Sequence, residues 1–114
     1  MIEIKRHDKY SIEILYDEIG AGILIEELNR ALNVTDAEVI SDSCGTEIVF
    51  KKNNEENMIV FEANKITITM DEEEIEYARK RFVDSMINKY FFPAELCECN
   101  YKKNSITIYA CFKK

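Results

Sequence analysis

The sequence is poor in histidine, the side chain that most often performs acid–base chemistry in enzymes, since it contains only His7. General acid–base catalysis near neutral pH usually requires a histidine, or a carboxylate tuned within a cleft. His7 falls in a predicted turn, and without it no Ser-His-Asp or Cys-His arrangement can be assembled. Among 22 acidic residues some pair will always lie close together, so closeness alone does not identify a catalytic pair. We therefore predict that the protein is not an enzyme.

Glycine and proline are also scarce, with three and one respectively in 114 residues, which argues against long irregular loops. No apolar run approaches the ~20 residues that span a bilayer. The first residues, MIEIKRHDKYS, alternate between polar and apolar and lack the continuous apolar run of a secretory signal. Hydrophobic residues make up 46% of the chain and charged residues 32%, as in folded globular proteins. We expect a single domain, residues 1–114, located in the cytoplasm.

Positive charge is in the minority, because 15 Lys and Arg residues face 22 Asp and Glu residues, giving a formal net charge of −7. DNA, RNA and anionic lipid surfaces all attract basic proteins. We therefore predict no direct binding to nucleic acid and no membrane contact. An acidic surface suits a protein partner with a basic face, although many proteins have such a charge for solubility alone.

Apolar residues alternate with polar ones in four parts of the chain, and a period of two residues predicts strands. The first hairpin would turn at residues 7–9, and three more are predicted within 37–50, 58–70 and 94–113. Placing apolar side chains opposite one another predicts the register. The predicted pairs are Ile2 with Ile14, Ile4 with Ile12, Ala37 with Phe50, Val39 with Ile48, Ile59 with Ile68, and Phe61 with Ile66.

Two segments instead show the three- and four-residue spacing of amphipathic helices. The first runs over 17–33, with an inward stripe of Ala21, Ile25, Leu28 and Leu32. The second begins after Thr69 or Asp71 with a capping box and ends near Phe91, before Pro93. Its predicted inward residues are Ile75, Ala78, Phe82, Met86 and Tyr90, widened by Val83 and Ile87. Glycines 20 and 22 are expected to allow close packing or a loose helix start rather than to bind phosphate.

The predicted order is strand-strand-helix-strand-strand, twice over, and the two halves align weakly. Met1-Ile2 aligns with Met58-Ile59, and KYSIEIL at 9 aligns with KITITM at 65. We expect an α+β fold with two pseudo-repeated ββαββ units, 1–51 and 58–113, joined by a polar loop at 51–57. Together they would form a curved antiparallel sheet with both helices packed on one face.

Three of the four cysteines fall within LCECNYKKNSITIYAC, residues 96–111. Pairing apolar positions across the last hairpin places Cys97 opposite Ala110, Cys99 opposite Ile108 and Tyr101 opposite Ile106, with Leu96 on the other face. Cys97 and Cys99 then point into the core, Cys111 points away, and Cys44 is exposed in a turn. Residues i and i+2 of a strand are poorly placed for a disulfide, and Cys-x-Cys alone is a weak metal motif. We expect packing residues and no metal or cofactor, with metal or redox work as the less favoured alternative.

The leading hypothesis is a non-enzymatic acidic protein-binding module, possibly of the inhibitor or immunity type, that covers a basic site on a protein partner. The expected contact residues are Glu73, Glu74, Tyr77 and Asp84 on the outward side of the second helix, or else the open sheet face. Carboxylates in a first helical turn also complement the helix dipole, which is the simpler explanation of DEEEIE at 71–76.

Two alternatives remain open. One is a small-molecule binding domain or sponge, with its site at the junction of the two repeats. Its expected lining is Tyr10, Tyr16, Tyr101 and Tyr109. The other is a domain that only completes a homo-oligomer.

Overall fold

The computed structural model describes residues 1–33, 40–42, 44–53, 56–88, 94–101 and 104–113, with the backbone alone for His7 and Ala94. Strands and helices follow one another along the chain in the order expected. The elements are β1 (Ile2–Asp8), β2 (Ser11–Tyr16), α1 (Glu18–Asn33), β3 (Ile40–Ser41), β4 (Glu47–Lys52), β5 (Met58–Phe61), β6 (Lys65–Met70), α2 (Glu72–Asn88), β7 (Ala94–Tyr101) and β8 (Asn104–Phe112). The duplication of the two halves is a separate claim and stays a prediction. None of the described helices is both long enough and apolar enough to cross a membrane.

The described strands form one curved, mostly antiparallel sheet in the order β1-β2-β8-β7-β5-β6-β4-β3. Each hairpin is antiparallel, as expected, whereas the contacts between hairpins (β2 with β8, β4 with β6, β5 with β7) are parallel. We expected an antiparallel sheet throughout and did not predict these parallel pairs. A tight turn fixes the relative direction of the two strands that it joins, but it does not fix how one hairpin pairs with the next. The sheet is nearly closed. Next to edge strand β3, the Asp42 carboxylate accepts a hydrogen bond of 3.3 Å from the backbone N–H of Ile4 in edge strand β1.

Both helices share one buried core with a single face of the sheet. Leu24 and Leu28 of α1 and Phe82 of α2 belong to the same buried cluster as Ile14 and Ile108. Further members from the strands are Ile2, Ile12, Tyr16, Ile48, Phe50, Ile59, Ile66, Ile68, Met70, Cys97, Cys99, Ile106 and Ala110. Alternate strand residues therefore face the helices, as the two-residue period predicts.

The β5–β6 register is the predicted one, with Ile59 opposite Ile68 and Phe61 opposite Ile66. The first hairpin differs by two residues. Ile2 pairs with Tyr16 and Ile4 pairs with Ile14, because the turn lies at residues 9–10 and the register shifts between Arg6 and Asp8. A shift of two keeps each side chain on its predicted face, so the error does not change the core.

The other two hairpins also need correction. Ile48 pairs with Ile40 rather than with Val39, and residues 37 and 39 lie outside the described part of the chain. In the last hairpin Cys97 pairs with Ile108, Cys99 with Ile106 and Tyr101 with Asn104. The shift is already present at the turn end of the hairpin, where Tyr101 pairs with Asn104 rather than with Ile106. A bulge farther along, between Glu95 and Cys97, buries Leu96, which was expected on the opposite face.

The helices begin where expected, but some inward residues differ. Asp17 Oδ1 accepts the Gly20 N–H at 2.8 Å, and Asp71 Oδ1 accepts the Glu74 N–H at 2.8 Å, so both aspartates cap a helix. The buried stripe of α1 is Ala21, Leu24, Leu28 and Ala31, with Ile25 and Leu32 only half-buried. Ile87 of α2 is 73% exposed rather than inward, whereas Ser85 is buried.

The predicted end of the second helix cannot be compared with the structure, and the predicted start of the polar loop changes. The positions 89–93, which include Tyr90, Phe91 and Pro93, lie outside the described residues. Lys51 and Lys52 belong to β4, so the connection expected at 51–57 begins after residue 52.

Candidate functional site

A groove with a volume of about 450 Å³ lies between the first turns of α2 and strand β7. Three glutamates and one tyrosine supply most of its polar lining. The lining residues are Asn57, Glu74, Tyr77, Glu95, Leu96, Cys97 and Glu98. The groove thus brings together two of the four predicted contact residues, Glu74 and Tyr77.

Asn57, just before β5, positions the helical wall of the groove against the strand wall. Its side-chain oxygen accepts the backbone N–H of Asp71 at 3.0 Å, and its backbone oxygen accepts the N–H of Asn100 at 2.9 Å. Asp71 is the N-cap of α2 and Asn100 belongs to β7. One residue therefore holds the start of the helix and the strand at a fixed separation.

The bulge in β7 forms the floor and one wall of the groove. Leu96 and Cys97 are consecutive, and both are buried, with 5% of each side chain exposed. The flanking Glu95 and Glu98 are exposed. In a regular strand, consecutive side chains point to opposite faces of the sheet. The bulge interrupts this alternation, so that Leu96 and Cys97 are both buried while Glu95 and Glu98 on either side remain exposed.

The Glu74 carboxyl is half-buried within this acidic groove. Burial raises the pKa of Glu74, and the neighbouring carboxylates of Asp71, Glu73 and Glu95 raise it further. Within the described part of the chain, Glu73, Glu74 and Glu95 form no ion pair. Among the described residues, no ion pair therefore offsets the charge of these three carboxylates.

Tyr77 is 46% exposed beside these carboxylates, as expected from its place on the outward side of α2. The guanidinium of Arg81 lies over the Tyr77 ring, with its central carbon 5.5 Å from the ring centroid. A cation can therefore reach the ring face in the folded protein, and such contacts are favourable by about 0.5–1 kcal/mol at exposed sites.

Other predicted site residues are not brought together. Glu73 and Asp84 are exposed on α2 but do not line the groove. The four tyrosines proposed for a small-molecule site are separated. Tyr16 is fully buried, Tyr10 is 56% exposed in a turn, Tyr101 packs on Phe61 with ring centroids 5.1 Å apart, and Tyr109 is half-buried on the other face of the sheet.

The cysteines lie on the faces that the sequence predicts. Cys97 and Cys99 are buried with their sulfur atoms 3.8 Å apart, Cys111 is half-buried, and Cys44 is exposed. Hydrogen bonding to Cys99 and burial raise the pKa of Cys97, and the charges of Glu74 and Glu95 raise it further. Among the described residues, no three or more His, Cys, Asp or Glu side chains stand close enough together to hold a metal ion.

Sequence reasoning missed Asn57, Glu95 and Cys97 as neighbours of Glu74. The strand pattern predicts an exposed Glu98 and a buried Cys97, but it does not predict the bulge or the line along which α2 crosses the sheet.

Comparison with known proteins adds no relative, because no protein-family model matches the chain and no curated protein matches it significantly.

Proposed function

We propose that this protein is a non-enzymatic, cytoplasmic binding module that receives a basic side chain of a protein partner in the groove between α2 and β7. The supporting observation is Glu74, a half-buried residue that shares the groove with Glu95 and Glu98 and forms no ion pair with any residue that the structure describes. An inhibitor or immunity-type protein that covers a basic site on its target fits this arrangement.

A lysine or arginine from a partner would relieve the repulsion among the groove carboxylates. The pKa of Glu74 would then fall toward its ordinary range, so binding and ionisation of this group would favour each other. Tyr77 at the edge of the groove offers an aromatic face, and tyrosine is enriched among residues that dominate interface energies. The exposed Glu73 and Asp84, together with the net charge of −7, would speed the encounter with a basic surface.

The test is a pull-down from lysate of the native host with matched charge variants. Tagged wild-type protein at low salt should retain a specific basic protein, and Glu74→Gln with Glu95→Gln should lose most of it. Glu3→Gln with Glu62→Gln removes the same charge far from the groove and should retain it. Equal retention by both double variants, or no retained protein at all, would reject the proposal.

We also propose that residues 1–51 and 58–113 are duplicated ββαββ units. If the edge strands β1 and β3 are taken as neighbours, the order of the sheet becomes a ring. Replacing each strand by its counterpart in the other half (β1 with β5, β2 with β6, β3 with β7, β4 with β8) then leaves the neighbours in this ring unchanged, which supports the duplication. The parallel pair β2–β8 then corresponds to β6–β4, and the contact between β5 and β7 corresponds to the approach of Ile4 to Asp42.

The alternative function, a small-molecule binding domain or sponge with its site at the junction of the repeats, has less support. The four tyrosines expected to line that site lie apart, and the apolar cavity in the core beside Ile14, Phe50 and Phe82 has a volume of about 10 Å³, roughly the room that one water needs. A thermal-shift screen against nucleotides and metabolites separates the two functions. A ligand at 100 times its Kd should add about 2.7 kcal/mol of stability, whereas a protein-binding module should respond to none.

A further inference from the structure

Strand β7 is paired along its length on one side only. Toward β8 its pairing runs from Ala94 to Tyr101, whereas toward β5 it consists of the single pair Met58 with Asn100. Since β5 begins at Met58, the part of β7 before Asn100 has no strand on that side among the described residues. This open edge of β7 borders the groove, because the residues from 95 to 98 all line it.

The backbone of Glu98 points toward the open edge. The Asn100 N–H donates to the backbone oxygen of Asn57 at 2.9 Å, so the backbone groups of Asn100 face away from β8. Alternate residues of a strand direct their N–H and C=O to the same side, so those of Glu98 also face away from β8. Neither group of Glu98 forms a hydrogen bond there with a residue that the structure describes. A strand edge with free donors and acceptors is a template for a further strand.

Carboxylates stand on both sides of the place that an added strand would occupy. Glu74 approaches from the first turns of α2, and Glu95 and Glu98 belong to β7 itself. Leu96 and Cys97 are buried, so the floor between these carboxylates is apolar. An extended segment with one lysine or arginine among small or apolar side chains therefore matches the groove in charge and in polarity.

We propose that the protein partner presents its basic side chain on an extended segment that adds as a strand to the open edge of β7 at residues 95–98. This inference rests on the proposed function and specifies the form of the partner. Backbone hydrogen bonds to Glu98 hold the segment, and the groove carboxylates select the lysine or arginine, which is the usual division of roles when a peptide extends a sheet. At about 3.3 Å per residue, the open edge gives room for three or four residues of the segment.

The experiment is an NMR titration of isotope-labelled protein with the blocked pentapeptide acetyl-Thr-Val-Lys-Val-Thr-amide at up to millimolar concentration. Wild-type protein should show saturable shifts centred on the amides of residues 95–98, and hydrogen exchange of the Glu98 amide should slow. Two N-methylated analogues, one modified at both valines and the other at the lysine and both threonines, distinguish the two sides of an extended strand. One analogue should bind about tenfold more weakly because it cannot donate to β7, and the other should bind like the parent peptide.

Glu98→Pro and Glu98→Ala form a matched pair of protein variants. Both remove the carboxylate and the hydrogen bond that Ser105 Oγ donates to it, and only proline also removes the N–H. Proline leaves the bonds between β7 and β8 in place, because this N–H points away from β8. We expect Glu98→Pro to bind the peptide about tenfold more weakly than Glu98→Ala does. Circular dichroism establishes that both variants are folded, and if Glu98→Pro is not, the N-methylated peptides decide.

Absence of saturable shifts with the parent peptide, or equal binding of both N-methylated analogues, would overturn the strand addition. Either result leaves open a partner that docks through its side chains alone, which the pull-down with the groove variants tests separately. Conversely, peptide binding at residues 95–98 without any protein retained from lysate would reject the proposed function and keep the binding edge.

Discussion

Gly20 and Gly22 belong to the same helix but have opposite surroundings. A Cβ at Gly20 would collide with the backbone oxygen of Met1, whereas a Cβ at Gly22 would meet no atom within 4 Å. Alanine is favoured over glycine in helices by about 1 kcal/mol. We expect Gly22→Ala to raise the free energy of unfolding by up to about 1 kcal/mol. Gly20→Ala should lower it by about 1–3 kcal/mol, because backbone cannot yield as a side chain can.

Urea denaturation of the two variants checks this prediction, and each serves as the control for the other. Equal effects of the two substitutions would show that the close approach of Met1 to Gly20 does not exist in solution.

Tyr16 and Ser85 form a buried hydrogen-bond chain between β2 and α2. The Tyr16 hydroxyl donates to Ser85 Oγ at 2.9 Å, and Ser85 donates to the backbone oxygen of Phe82 at 2.7 Å. Burial raises the pKa of Tyr16 from 10.0 to about 12. The folded state therefore holds its phenol proton more tightly than the unfolded state does.

The stability from Tyr16 is thus fully present below pH 10 and is lost as the pH rises from 10 toward 12. We expect the wild-type free energy of unfolding to fall more steeply over this interval than that of Tyr16→Phe, as measured by denaturation at a series of pH values. Ser85→Ala should cost about 1–3 kcal/mol at neutral pH, since it removes the buried hydrogen bond between the Tyr16 hydroxyl and Ser85 Oγ. Parallel pH profiles for wild type and Tyr16→Phe would contradict this assignment.

The Glu74 carboxylate should reduce the stability of the folded protein at neutral pH. Its pKa is raised by burial and by neighbouring carboxylates, so the folded state favours the protonated form. The stability that protonation gives is present below the ordinary carboxyl pKa and is lost as the pH rises through the raised pKa. We expect Glu74→Gln to be more stable than wild type at pH 7, and the difference to shrink in acid.

Denaturation at pH 7 and at pH 4 measures this difference, with Glu62→Gln in the exposed turn between β5 and β6 as the control for loss of charge. A variant less stable than wild type at pH 7 would mean that the Glu74 carboxylate has a cationic partner in the folded protein.

At the scale of the element, Asp71 determines where α2 begins and so where the groove wall lies. We expect Asp71→Ala to lower the free energy of unfolding by about 1 kcal/mol, because the Glu74 N–H loses its acceptor. Asp71→Asn keeps a good N-cap without the charge and should remain close to wild type. Thermal denaturation followed by circular dichroism compares the two. If asparagine destabilises as much as alanine does, the charge rather than the cap is what matters.

The helices and hairpins could be predicted because their information is local. Alternation in β1, β2, β6 and β8 and the three- and four-residue spacing in α1 and α2 identify each element and most inward side chains. Register was harder to predict. The bulges near Arg6 and near Leu96 each insert an irregular step that no hydrophobic pattern indicates, and the second one buries Leu96 on the unexpected face.

At the scale of the whole molecule, the parallel contacts between hairpins and the near closure of the sheet could not be predicted from the sequence. Which hairpin lies beside which depends on the path of connections and on the fit of both helices inside the curve. For the same reason the sequence identified Glu74 and Tyr77 as exposed residues of α2 but did not place them opposite Glu95 and Glu98. A groove between two elements exists only after those elements have packed.

In the proposed function, the carboxylates of the groove recognise a basic protein partner. The most direct measurement is the association rate of the captured partner with wild-type protein and with Glu74→Gln plus Glu95→Gln, over a range of salt concentrations. We expect the wild-type association rate to fall steeply with salt, and the variant to associate more slowly with a rate that depends less on salt. A rate that is insensitive to salt, or the same in both proteins, would contradict it.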